Sequence, residues 1–192
     1  MIALGQEVTL TEAEQELCKM VAKMRSVANR ESGVTSRKMF DAESDLQIDI
    51  QGYGAELAFA KMCNVYPDFT THIRSSRVDV GDVILKSGLS VDVKHTTRLN
   101  GNLITPSWKC SAVDLYALLV GIFPKYIFRG GMPKERFLCE HNLKDLRKTG
   151  KLDTFVVFQK YLEELTLKDI PMQIEAAKPV GILFVPLTKK AA

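Results

Sequence analysis

The stretch Val80-Gly-Asp-Val-Ile-Leu-Lys-Ser-Gly-Leu-Ser-Val-Asp-Val-Lys-His-Thr-Thr97 decides the fold. Val83 and Leu85 alternate with Asp82, Ile84 and Lys86, and then Leu89, Val91 and Val93 alternate with Ser90, Asp92 and Lys94. Period-two alternation on both arms is the pattern of two strands, each with two distinct faces. A three-residue loop Lys86-Ser87-Gly88, with Gly88 in the left-handed conformation, pairs Leu85 with Leu89. Counting outward, Asp82 then lies across from Asp92, and Lys94 is the next residue on the Asp92 face.

Two carboxylates opposed in a sheet repel unless a cation stands between them. Mg²⁺ takes oxygen ligands from one or two carboxylates and keeps several waters. Lys94 points into the same space, where its ammonium can meet a phosphate as a point charge. Two acids and a lysine around a metal suit phosphodiester hydrolysis, in which the metal polarises a phosphoryl oxygen and lowers the pKa of the attacking water.

These residues resemble the PD-(D/E)-x-K nuclease superfamily. Asp82 matches its first acid and Asp92-Val93-Lys94 its D-x-K, the second aspartate following ten positions after the first. The superfamily usually adds a Glu from an upstream helix, and Glu56 in Gln51-Gly-Tyr-Gly-Ala-Glu-Leu-Ala-Phe-Ala-Lys61 holds that place. The span from Gly52 to Val120 is similar in layout to small nucleases of phages and mobile elements. Gly81 stands where the motif has proline, and Asp79 is a competing first acid. The resemblance implies a restriction-endonuclease-like core, Mg²⁺ (with Mn²⁺ as a substitute) and DNA as substrate, with a homodimer as a further association.

A chain of 192 residues suits one domain with a substantial core. Hydrophobic content of 46% and charged content of 26% are those of an ordinary soluble protein. The net charge of +3 makes nucleic-acid binding a matter of local basic surface. No apolar run approaches the roughly 18 residues of a membrane span, and no signal peptide is read. Cys18, Cys63, Cys110 and Cys139 lack C-x-x-C spacing and suit reduced thiols in a cytoplasm, the host's if the chain is phage-encoded. His72, His95 and His141 are too scattered for a histidine metal site.

Residues 11 to 29 predict an amphipathic helix, with a Thr11–Glu14 capping box and a stripe of Leu17, Val21 and Met24. Lys19, Lys23, Arg25 and Arg30 then form a solvated face or one that tracks a DNA backbone. Arg37 and Lys38 in the polar connection that follows are candidate phosphate contacts. Leu46 to Met62 predicts a second helix, in which Gly52 and Gly54 permit close approach to the sheet. Glu56, bracketed by apolar residues, is read as ligating the metal directly or through water. Arg74 and Arg77 are candidate phosphate contacts in the loop before the hairpin.

Past Lys94, His95 falls on the other face as a packing or hydrogen-bonding histidine. Asn100-Gly101 predicts a hairpin turn leading to a strand at Leu103–Thr105. Trp108 is expected in the core, with base stacking its other use, and Lys109 as a second cation near the phosphate. Val113–Ile122 predicts a buried central strand, with a helix as the alternative, and Tyr126–Phe128 a further strand. Leu143–Lys151 and Tyr161–Leu167 are expected to be helical, Phe155–Phe158 and Val180–Val185 to be strands. Lys144, Arg147, Lys148 and Lys151 make the most concentrated basic patch, a solvated surface or a DNA contact.

The expectation is a single α/β domain over residues 1–192: a central mixed sheet flanked by helices, with a core at about 47–130 and additions at about 131–192. Its expected activity is Mg²⁺-dependent DNA hydrolysis in phage or mobile-element DNA processing. Asp82, Asp92, the Val93 carbonyl and Glu56 would hold the metal. Lys94 would orient the water or stabilise the transition state. The rival is a nuclease-fold module that binds DNA or a protein without cutting.

Overall fold

The hairpin register falls where the alternation places it: Val83 pairs with Val91 and Ile84 with Ser90, antiparallel. The Leu85 N–H donates to the Leu89 carbonyl at 2.9 Å, and Gly88 takes a φ of +86° to close the turn. The computed structural model describes residues 2–31, 44–70, 81–109, 112–146, 148, 150 and 152–165. Arg37, Lys38, His72, Arg74, Arg77, Asp79, Cys110, Arg147, Lys151 and the expected strand Val180–Val185 lie outside them, as does the side chain of Lys109.

In chain order the elements are β1 (Glu7–Thr9), α1 (Glu12–Glu31), α2 (Asp45–Cys63), β2 (Val83–Ile84), β3 (Ser90–Thr96), β4 (Leu103–Pro106), β5 (Leu115–Ile122), β6 (Lys125–Pro133), α3 (Lys134–Phe137), β7 (Leu143–Lys144) and β8 (Thr154–Val157). Five strands form a sheet in the order β1-β6-β5-β3-β2, and β4-β8-β7 form a second. β3 and β5 run parallel while the other neighbours are antiparallel, so the main sheet is mixed. The chain is thus an α/β protein with a central mixed sheet.

Alternation along β3 and β5 divides the core between two faces. Val91, Val93, Leu115, Ala117 and Leu119 pack with Cys18 and Val21 of α1 and with Tyr53, Leu57 and Phe59 of α2. Tyr116, Leu118 and Val120 point the other way, toward Leu103 of β4, Val157 of β8 and Phe137 of α3. The first cluster also takes in Ile2 and Leu165, so it reaches beyond residues 47–130 at both ends.

Helix α2 is buried on most sides, including Gln51, Ala55, Ala58 and Ala60. Ser44 caps its start by accepting the Gln47 N–H at 3.2 Å, and Asn64 ends it in the left-handed region. A Cβ at Gly54 would collide with the Tyr126 hydroxyl, so this glycine sets the helix-to-sheet distance. That same hydroxyl donates to the Gln51 carbonyl at 2.9 Å, while the Gln51 side-chain oxygen accepts the Phe123 N–H at 2.9 Å. Gln51 thereby fixes the helix against the turn between β5 and β6.

Several expectations are corrected. The buried stripe of α1 runs through Cys18, Val21, Ala22 and Ser26, and Met24 is exposed. The Thr11–Glu14 box is present, with the Thr11 N–H on the Glu14 carboxylate at 2.6 Å. Asn100-Gly101 makes a turn but no hairpin: β4 pairs with β8 in the second sheet rather than turning back on β3. The described residues of 143–151 are not helical: Leu143 and Lys144 join β8 as strand, and the Asp145 carboxylate closes a turn on the Gly150 N–H at 2.7 Å.

At Tyr161–Leu167 the described part is a 3₁₀ turn, Gln159–Tyr161, followed by bridges from Glu163 to Gly131 and from Leu165 to Ile2. The side chains of Leu162 and Leu165 lie where Gly130 and Gly131 carry none. Trp108 sits in a 3₁₀ turn at the end of β4 and is exposed rather than in the core. Strand β1 was not anticipated.

Candidate active site

Gly81 takes a φ of +83°, and a Cβ there would press on the Val91 carbonyl. Proline, fixed near −65°, cannot adopt that conformation. The left-handed residue turns the chain so that the Asp82 N–H donates to the Val91 carbonyl at 2.8 Å. β2 pairs with β3 at two positions only, leaving the β3 edge open beyond Val91. There the Asp82 Oδ2 accepts the Val93 N–H at 2.8 Å. The N–H and C=O of a strand residue point to the same side, so the Val93 carbonyl faces the same open edge.

Asp92 and Lys94 lie on the opposite face of β3 from Val91 and Val93, level with Tyr116 and Leu118 of β5. Asp92 is buried, and the Lys94 Nζ stands 2.6 Å from its Oδ1 and 5.9 Å from the Tyr116 ring centroid. Burial alone would pull the Lys94 ammonium down; the Asp92 carboxylate outweighs it, and the net shift is upward.

Asp82 is the electrostatic junction of the site. Burial, then the charge of Glu56, then that of Asp92 push its carboxyl up to about 8, against the opposing effects of the Val93 N–H and Lys94. Glu56, Asp92 and Lys94 thus each act on Asp82, and Asp92 pairs with Lys94. His95 falls outside the group: its Nε2 lies 2.9 Å from the Gly121 carbonyl and its ring packs edge-on against Tyr126, as expected of a packing histidine.

Sequence reasoning missed Arg25, which it placed on a solvated or DNA-facing helix surface. Arg25 instead turns inward. Its Nη1 meets the Glu56 Oε2 at 2.9 Å, its Nε donates to the Thr70 carbonyl at 3.0 Å, and its guanidinium lies 4.6 Å from the Tyr53 ring centroid. The available signal was the i+3/i+4 continuation of the Cys18–Val21–Ala22 stripe, which puts position 25 on the inner face.

The donor set suits a hard divalent cation: buried carboxylates that repel one another, plus a strand carbonyl at the same edge. Among the described residues, no group of three or more Asp, Glu, His or Cys converges as a ready-made cage. Glu56 is turned toward Arg25 and Asp92 toward Lys94. Ligation by Asp82 and Asp92 with waters matches what Mg²⁺ requires, and Glu56 would join by exchanging with Arg25.

A cleft of about 610 Å³ leads to Asp82, between Tyr66, Asp68 and Phe69 on one side and Gly81 and Ile84 on the other. Of the DNA-contact candidates, the described ones, Lys144 and Lys148, do not line this cleft. Lys144 and Lys148 are exposed, Lys144 on the edge strand of the second sheet with its Nζ donating to the His141 carbonyl at 2.9 Å. The Cys18 and Cys63 thiols are buried and pushed up to about 12, which disqualifies them as nucleophiles. Among the described residues, no helix is long and apolar enough to cross a membrane.

Against known proteins, the model of a family of unknown function, DUF5843, matches residues 1–126, and the chain belongs to that family. No curated protein and no solved structure matches. The matched region contains Arg25, Glu56, Asp82, Asp92 and Lys94.

Proposed function

We propose that this DUF5843 member is a divalent-metal-dependent deoxyribonuclease built on a restriction-endonuclease-like core. The observation that carries the reading is Asp82, whose carboxyl is held up to about 8 by burial and by the neighbouring Glu56 and Asp92, with Lys94 beside them. Three mutually repelling acids and a lysine at one open strand edge suit binding of a cation and a phosphodiester together.

A bound Mg²⁺ or Mn²⁺ supplies Lewis acidity toward the phosphoryl oxygens and lowers the pKa of the attacking water. Asp82 and Asp92, with the Val93 carbonyl, hold that cation, and Glu56 ligates it directly or through water. Lys94, kept charged by Asp92, orients the water or stabilises negative charge on the phosphoryl group. The burial of Asp92 and of the floor around it lowers the local dielectric and strengthens each of these interactions. Processing of phage or mobile-element DNA in a cytoplasm is the setting the reading favours, with a homodimer as the form that would engage both strands of a duplex.

The second reading is a nuclease-fold module that binds DNA or a protein without cutting. The two ion pairs, Arg25–Glu56 and Lys94–Asp92, favour it, because they satisfy two of the three acids internally. Incubating plasmid, linear, single-stranded and branched DNA with Mg²⁺ or Mn²⁺, beside Asp92→Ala and Lys94→Ala, separates the two. Cleavage by the wild type alone supports the nuclease. Intact DNA that is still retarded in a gel by all three proteins supports the module.

A further inference from the structure

A second groove, of about 630 Å³, opens beside the small sheet and shares no lining residue with the cleft at Asp82. Val156 and Val157 of β8 contribute apolar surface, and Arg136 and Lys144 bring positive charge. Phe158 and Tyr161 form the aromatic part of its lining. Both are more than half exposed (53% and 56%), with ring centroids 6.5 Å apart and planes at 62°.

Two large aromatic rings exposed side by side on a groove are an unusual use of apolar surface in a soluble chain. One acid, Glu135, lines the groove beside Arg136 and Lys144, and Lys160 stands next to the Tyr161 ring. The Lys160 Nζ lies 4.8 Å from the Tyr161 ring centroid. Lys144 gives one of its three donors to the His141 carbonyl. Glu163, the acid nearest Arg136, is spent in a 2.9 Å ion pair with it. Aromatic faces interleaved with lysines are what single-stranded nucleic acid needs: bases stack on the rings while phosphates meet the ammonium groups. A paired base, stacked on both faces inside a duplex, cannot present itself to Phe158 or Tyr161. An acidic peptide would engage the lysines and leave the ring faces unused.

We propose that this groove binds a short unpaired stretch of nucleic acid, with bases on Phe158 and Tyr161 and phosphates on Lys144 and Lys160. The site does not depend on the hydrolytic reading, since none of its residues acts on Asp82.

The test is fluorescence anisotropy in EDTA with a short fluorescein-labelled oligothymidylate and with its blunt duplex on oligodeoxyadenylate. The single strand is expected to bind at least about tenfold more tightly than the duplex. Phe158→Ala and Tyr161→Ala should each weaken it by roughly 5- to 100-fold, with Tyr161→Trp restoring it. Lys144→Ala should make the slope of log affinity against log salt shallower by about 0.7. The assay in EDTA reads binding without cleavage, so a failure of cleavage and a failure of this site are read separately. Equal binding of strand and duplex, or full binding by both alanine variants, overturns the proposal. Tyr161-dependent binding of a labelled polyglutamate peptide without binding of the oligonucleotide would reassign the groove to a protein partner.

Discussion

The Asp82 carboxylate stands in for a strand: its Oδ2 takes the Val93 N–H at 2.8 Å, at the point where β2 no longer pairs with β3. One side chain therefore completes the sheet edge and also faces Glu56 and Asp92. The two roles separate by substitution. Asp82→Ala leaves the Val93 N–H without its acceptor and should cost about 1–3 kcal/mol in urea denaturation. Asp82→Asn keeps an acceptor oxygen and should stay within about 1 kcal/mol of the wild type, while losing Mg²⁺ binding as completely as the alanine variant.

The raised Asp82 carboxyl makes stability depend on pH in a definite direction. Its ordinary value is 3.8 and its folded value about 8, so between these the folded protein binds the extra proton. The stabilising contribution is fully present below pH 3.8 and is lost as pH rises through about 8. Thermal unfolding without metal should give a Tm that falls between pH 6 and pH 9, and Asp82→Asn should flatten the fall. Over the same range Mg²⁺ should bind more tightly as pH rises, by up to about tenfold per unit, measured by calorimetry.

Arg25 and a cation compete for Glu56. Arg25→Gln removes the positive partner and should strengthen Mg²⁺ binding severalfold while lowering stability by about 1–3 kcal/mol, because a partly buried glutamate is left unpaired. Adding Glu56→Gln should recover part of that stability and cancel the gain in affinity. Equal losses in the single and double variants would show that Arg25 acts through Thr70 and Tyr53 rather than through Glu56.

Gly54→Ala brings a methyl group onto the Tyr126 hydroxyl. The expected cost is about 1–3 kcal/mol, with α2 and Glu56 displaced from the sheet. Tyr126→Phe in the same chain removes the clashing oxygen and should recover some of the loss, although it leaves the Gln51 carbonyl without its donor. Denaturation of the four proteins of the cycle measures the coupling directly.

What the sequence made legible was what is local. The Leu85–Leu89 pairing and the apolar run of β5 follow from alternation within a few residues, and each stands where the pattern puts it, whereas Asp82 precedes β2 and meets the Val93 N–H rather than a ladder partner. Glu56 could be named because glycine and alanine neighbours marked α2 as an inner helix. Partners separated by long stretches of chain were not legible. Arg25 reaches Glu56 across 31 residues and looks, on its own helix, like any surface arginine. β4 could not be assigned to the second sheet without knowing that it pairs with β8, far along the chain. The apparent helix at 143–151 rested on lysines and two leucines, too little apolar surface to hold a helix against the alternative of pairing with β8.

The tie between Gln51 and Tyr126 bears on the extent of the family match. The family match stops at Tyr126, so the matched segment keeps both ends of this tie. It does not keep Ile127 to Pro133, the rest of the strand that separates β1 from β5 in the sheet. A fragment ending at residue 126 would leave Leu115 to Val120 of β5 as an unpaired edge, an invitation to aggregate. The backbone of Ile127 to Pro133 is therefore part of what residues 1–126 need to close this sheet.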